Sequence, residues 1–105
     1  MFEHLDEQPE KRELMRALAR VMIRIDNGDV GTLTDERRIG KGRDGILKLL
    51  EMLEGKTPAT PAVASAELRK ISEYLGVRGF ANSRGSAQAE LAMAESLLTG
   101  LRRVK

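Results

Sequence analysis

Apolar residues recur along this chain at helical spacing in four separate blocks. From Pro9 onward, Leu14, Leu18, Val21, Met22 and Ile25 share one face, flanked by Met15, and Asn27-Gly28 supplies a stop. Pro9 suits the first turn of a helix, where its missing N–H is not needed. Glu10 and Glu13 favour the positive N-terminal end of the dipole. A first helix over about 9–26 follows. After the turn-rich connector DNGDVGTLT, Thr34 is the expected cap of a second helix over about 35–54, with Ile39, Ile46, Leu49, Leu50 and Leu53 on one face and Gly55 as its end. Two amphipathic helices on a short link predict an antiparallel hairpin.

GKTPATPAVAS reads as a Pro/Thr/Ala linker, placed at 56–64. Ser65 is the expected cap of a third helix over about 65–75, with Leu68, Ile71 and Leu75 inward and Gly76 as terminator. VRGFANSRGS forms a second loop. Ser83 or Ser86 then opens a last helix over about 84–102, seamed by Ala87, Leu91, Ala94, Leu98 and Leu101. No segment alternates convincingly as a strand, so the fold class is all-α. Residues 1–8 form a flexible acidic tail, 9–55 the hairpin, and 65–105 a C-terminal helical pair packed with it into one compact domain.

Composition agrees with this picture and narrows the chemistry. In 105 residues there are only Phe2, Tyr74 and Phe80 as aromatics, so Leu, Ile and Met must fill the core. Cysteine is absent, which removes disulfides and thiolate chemistry. No apolar run approaches the roughly 20 residues needed to span a bilayer. With an acidic, polar start unlike a secretory signal, the expected location is cytoplasmic. His4 is the only histidine, and no nucleophile–base pair or metal-ligand spacing is visible. Neither an enzyme nor a cofactor is expected. An EF-hand loop begun at Asp26 would put Arg37 at the closing bidentate position and so fails. The acids of that segment are turn and cap residues.

Charge is distributed unevenly. Residues 11–50 carry ten Lys or Arg against six Asp or Glu, a local +4 within a chain of net +2. Arg12, Arg16, Arg20 and Arg24 recur every four residues nearly opposite the first apolar stripe. Like charges at that spacing repel by a few tenths of a kcal/mol per pair, roughly. One reading is a face that contacts phosphates or an acidic protein. The plainer one is a solvated face balanced by Glu10, Glu13, Asp26 or the acidic tail. Arg37, Lys41 and Lys48 share the outward face of helix 2 and extend the list of candidate contacts.

RRIGKGRDGILKLLEML contains a literal G-x-G-x-x-G at Gly40, Gly42 and Gly45. A dinucleotide loop needs a strand before the glycines and a crossover after them, and neither is present. Gly42 instead falls within the apolar stripe and Gly45 at its edge, where a missing side chain admits a close neighbour. At about 1 kcal/mol of helix propensity each, three glycines predict a loosened or kinked helix. The alternative is a true turn with the helix restarting near Asp44.

LRKISEYLGV resembles the first helix and turn of helix-turn-helix DNA-binding proteins, with Ser72 at the small position, Gly76 in the turn and Val77 after it. The resemblance covers these ten residues. Beyond them Asn82 and Gly85 stand where a recognition helix has apolar residues. It implies Arg78, Asn82, Ser83 and Arg84 as DNA-contacting candidates. The competing reading is a generic amphipathic helix ended by glycine.

Together these features predict a non-catalytic helical adaptor or regulator, homo-oligomeric, with a basic face for DNA, RNA or an acidic protein. Helical hairpins of this size form oligomeric cores in phage small terminase subunits, a similarity of inferred shape rather than motif. A DNA-binding accessory protein is the alternative.

Overall fold

The computed structural model describes residues 9–56, 60–76 and 86–103. Among these residues there are four helices: α1 (Pro9–Asp26), α2 (Glu36–Leu53), α3 (Pro61–Leu75) and α4 (Ala87–Arg103). Among the described residues none is in a strand. The acidic tail at 1–8 lies outside them.

Each helix buries most of the stripe its spacing predicts, with Met22, Ile39 and Leu50 only partly covered. Leu14, Leu18 and Val21 of α1 are fully buried, as are Ile46, Leu49 and Leu53 of α2, and Leu68, Ile71 and Leu75 of α3 lie beneath the surface with Leu91, Ala94 and Leu98 of α4. Val30 and Leu33 are buried as well, which pins the α1–α2 connector onto the same core. α1 stops where glycine permits a left-handed turn. Gly28 has φ +80°, and the Asp29 N–H donates back to the Arg24 carbonyl at 2.8 Å. Gly76 ends α3 in the same way, with φ +63°.

Two helix starts differ from expectation, and the last helix opens at the second of its two expected caps. Asp35, not Thr34, caps α2, its Oδ1 accepting the Arg37 and Arg38 N–H groups at 3.0 and 3.2 Å. A carboxylate there also meets the positive end of the helix dipole. α3 starts at Pro61 rather than 65, because the Thr60 hydroxyl accepts the Val63 N–H at 3.2 Å and proline suits the first position. The linker expected at 56–64 is therefore partly helix. α4 starts at Ala87 with Ser86 as cap, its Oγ accepting the Ala89 N–H at 3.1 Å.

The largest helix contacts pair α1 with α4 and α2 with α3, while the sequence neighbours α1 and α2 touch more lightly. Directions follow from paired residues. Asp29 and Arg20 of the first segment meet Ala87 and Glu90, so α1 and α4 run oppositely. Arg38 meets Tyr74 while Lys48 meets Glu67, which makes α2 and α3 antiparallel. Leu75 meets Gln88 and Ser72 meets Glu95, so α3 and α4 are antiparallel too. The result is an up-down-up-down bundle.

The glycine stretch is continuous α-helix rather than a turn with a restart near Asp44. A Cβ on Gly42 would lie 2.8 Å from Leu75 Cγ and Cδ2, and one on Gly45 would lie 2.7 Å from Ile71 Cγ1. These two glycines are the sockets into which α3 fits. The packing gained by Leu75 and Ile71 offsets the propensity lost, since burying such a side chain contributes about 1.5–3 kcal/mol.

Candidate functional site

The seven cations expected to form one contact face occupy two. Asp26 at the end of α1 accepts from Arg43 Nε in α2 at 3.0 Å, which marks the register of the two helices. From that anchor the helices run apart in sequence. Arg12 and Arg16 therefore lie toward the end of the bundle where α2 finishes, and Arg37 and Lys41 toward the end where α2 begins. The same bond, with the attraction of Asp26 behind it, holds the Arg43 guanidinium above its ordinary pKa.

On α1 the arginine ladder divides. Arg20 Nε lies 3.2 Å from Glu90 Oε2 and its Nη2 lies 3.7 Å from Met93 Sδ, both on α4. Arg24 Nη1 lies 3.7 Å from Asp29 Oδ2. The acids balancing these two arginines are thus Glu90 and Asp29; Asp26, one of those expected, is held by Arg43 instead. Arg12 and Arg16 are exposed with no acidic partner among the described residues.

The second face follows the α2–α3 seam. Lys48 Nζ is 3.5 Å from Glu67 Oε1, and Lys41 Nζ stands 5.6 Å from the centre of the Tyr74 ring. Glu67 and Tyr74 are seven residues apart in α3, two turns on one face, and Lys70 lies between them on that face. Arg37 is one turn before Lys41 on α2. Arg37, Lys41, Lys48 and Lys70 are all exposed, so they make one cationic strip along the seam. Glu67 lies within it and Asp44 at its outer edge. The Lys48–Glu67 pair restrains Lys48 little, because its side chain is 61% exposed and such pairs contribute about 0–1 kcal/mol. Amine and guanidinium groups in a row can each meet a phosphate or carboxylate oxygen, whereas the single Tyr74 offers no stacking platform.

Three residues that govern this region had no signal in the sequence. Lys70 joins the strip only because α3 lies against α2. Arg38 donates from Nε to the Tyr74 carbonyl at 3.0 Å and from Nη2 to the Glu73 carbonyl at 2.8 Å, closing the C-terminal end of α3. Gln88 is fully buried, and its Nε2 donates to the carbonyls of Val30 at 2.7 Å and Leu75 at 3.1 Å. It thereby ties the connector, α3 and α4 together. Its Oε1 has no hydrogen-bond partner among the described residues.

The remaining candidates Arg78, Asn82, Ser83 and Arg84 lie outside the described residues. Within them Ser72, the small residue of the helix-turn-helix resemblance, donates its hydroxyl to Glu95 Oε1 of α4 at 2.7 Å. Among the described residues no group of three His, Asp or Glu is placed to hold a metal ion. No described helix is long and apolar enough to cross a membrane. No family model, no curated protein and no solved structure matches the chain.

Proposed function

We propose that the protein is a cytoplasmic, non-catalytic helical adaptor that self-associates and uses the α2–α3 seam to contact a polyanion. The observation that supports this most is the strip of Arg37, Lys41, Lys48 and Lys70, four exposed cations on two helices held in register by tight packing beneath. A strip on a rigid support loses little side-chain freedom beyond its own rotamers on binding, which favours contact with a regular array of phosphates. Self-association would multiply such modest contacts into useful avidity.

Retention on double-stranded DNA at a series of salt concentrations tests the reading. Four phosphate contacts give a slope of log affinity on log salt of about −3.6. Replacing Lys41 and Lys70 together by Glu should abolish retention at low salt. Arg12→Glu, compared with Lys41→Glu alone, makes the same change of charge on the other face and should have much the smaller effect. Retention unaltered by the Lys41/Lys70 swap excludes the seam. DNA-independent capture by an acidic polypeptide such as polyglutamate, lost in the same variant, assigns the strip to an acidic protein partner instead.

A further inference from the structure

α1 and α2 make a lighter contact than the two principal helix pairs, and their seam carries most of the incompletely covered apolar residues. Of the five partly buried hydrophobic residues packed against the core among the described residues, four lie on these two helices: Met15, Met22, Ile39 and Leu50. Asp26 fixes which side of α1 faces α2, and Arg43 fixes the reciprocal side of α2. At about 100° per residue, all four project to that shared seam. Above it stand two of the exposed large aliphatic residues, Ile23 on α1 at 56% and Leu47 on α2 at 41%.

The two lips of this shallow groove carry opposite charge. Ile23 shares the outer face of α1 with Arg12 and Arg16, Arg20 being turned to Glu90 of α4, and Leu47 shares that of α2 with Asp44 and Glu51. Counting back along α1 and forward along α2 from the Asp26–Arg43 pair puts Ile23 level with Leu47. The same count puts Glu51 level with the Arg16–Arg20 turn. A basic lip and an acidic lip at matching levels are self-complementary under one operation only: a two-fold axis parallel to the helices, which sets α1 of one copy over α2 of the other. A two-fold axis lying across the helices would instead oppose arginine to arginine and acid to acid.

We propose that the α1–α2 face is the surface of a symmetric dimer, occupied by a second copy of this chain. In it Ile23 packs on Leu47 of the partner subunit and Arg16 meets Glu51 of the partner subunit. This deepens the self-association in the function proposed above and leaves the α2–α3 seam open on each copy. The molecule measures 38 × 23 × 19 Å, so the outline of a long side, roughly 700–900 Å², is of the same order as the about 800 Å² each partner buries in a standard specific interface. Ion pairs at the lips contribute less to affinity than to the choice of axis, while the covered methionines and aliphatic residues supply the apolar burial.

Sedimentation equilibrium at micromolar concentration tests this with two surface variants, Arg16→Glu and Glu51→Arg. Wild type should show twice the chain mass of 11.6 kDa. Each variant alone opposes like charges twice across the axis and should sediment as a monomer with unchanged helical circular dichroism. An equimolar mixture restores both pairs, one of them native, and should return to the dimer. A monomeric wild type overturns the proposal together with self-association. A wild-type dimer that both variants preserve, or variants whose mixture stays monomeric, overturns this face while self-association stands. DNA retention by the seam is read separately with Lys41→Glu, which leaves the mass at the wild-type value.

Discussion

Gly42 offers the sharpest test of why α2 contains three glycines. Gly40 meets no heavy atom within 4 Å where a Cβ would project, whereas the same atom on Gly42 would lie 2.8 Å from two atoms of the fully buried Leu75. Both substitutions to alanine gain the same helix propensity, about 1 kcal/mol. Only Gly42→Ala also overpacks the core, which costs about 1–3 kcal/mol. Leu75 is the last residue of α3 and is fastened on both sides, by Gly76 in its left-handed cap and by Gln88 on its carbonyl. It therefore has little freedom to retreat, and the upper half of that range applies. Gly40→Ala should stabilise by roughly 1 kcal/mol and Gly42→Ala destabilise by roughly 1–2 kcal/mol, a separation of at least about 2 kcal/mol. Urea unfolding followed by circular dichroism resolves this, since a slope of about 1–3 kcal/mol per molar converts 2 kcal/mol into a midpoint difference of roughly 0.7–2 M. Gly100→Ala in α4, also without a neighbour within 4 Å, serves as a second control. A double-mutant cycle with Leu75→Ala should then show favourable coupling, because the added methyl partly fills the space vacated. Equal stabilisation by Gly40→Ala and Gly42→Ala, or a cycle without coupling, would refute the socket account.

Other positions yield independent tests. Gln88→Leu keeps the volume but takes the Gln88 donor from the Leu75 carbonyl and leaves the Val30 carbonyl only the Leu33 N–H, so it should cost about 1–2 kcal/mol in thermal or urea unfolding. Gln88→Glu should be worse at neutral pH, where a buried carboxylate faces two carbonyl oxygens. Burial raises the folded-state pKa of that carboxyl, so the penalty shrinks as pH falls toward the ordinary glutamate value of about 4.3. Asp35→Ala removes the α2 cap and should lower stability by about 1 kcal/mol, while Thr34→Ala should stay within about 0.5 kcal/mol of wild type. Arg38→Met retains the aliphatic stem and loses both bonds to the end of α3. Amide hydrogen exchange should accelerate in the last turn of α3 and far less in α1.

Much of the fold was legible along the chain because helical periodicity is a local property. Leu14, Leu18 and Val21 declare a buried face through their spacing alone, and Gly28 and Gly76 declare helix ends through the conformations glycine tolerates. Gly42 could likewise be placed on a packing stripe by counting residues. Cap identity was harder. Thr34 and Asp35 are adjacent capable acceptors, as Thr60 and Ser65 are alternatives a turn or so apart, and the choice depends on where packing lets the first turn begin. The candidate site was the least legible part. Arg20 and Arg24 look alike in the ladder, yet one finds Glu90 on α4 and the other Asp29 in the connector.

By itself the sequence determined that the described residues form four helices, which side of each is apolar, and where two of them stop. These follow from interactions between residues three or four apart. Only the tertiary structure decided that α1 lies chiefly against α4 and α2 chiefly against α3, because that choice rests on the fit of distant surfaces. The missing side chains of Gly42 and Gly45 admit Leu75 and Ile71, and no local pattern records which partner will fill a vacancy. Once α3 is seated there, Lys70 joins Arg37, Lys41 and Lys48, and the lightly covered α1–α2 seam is left facing outward.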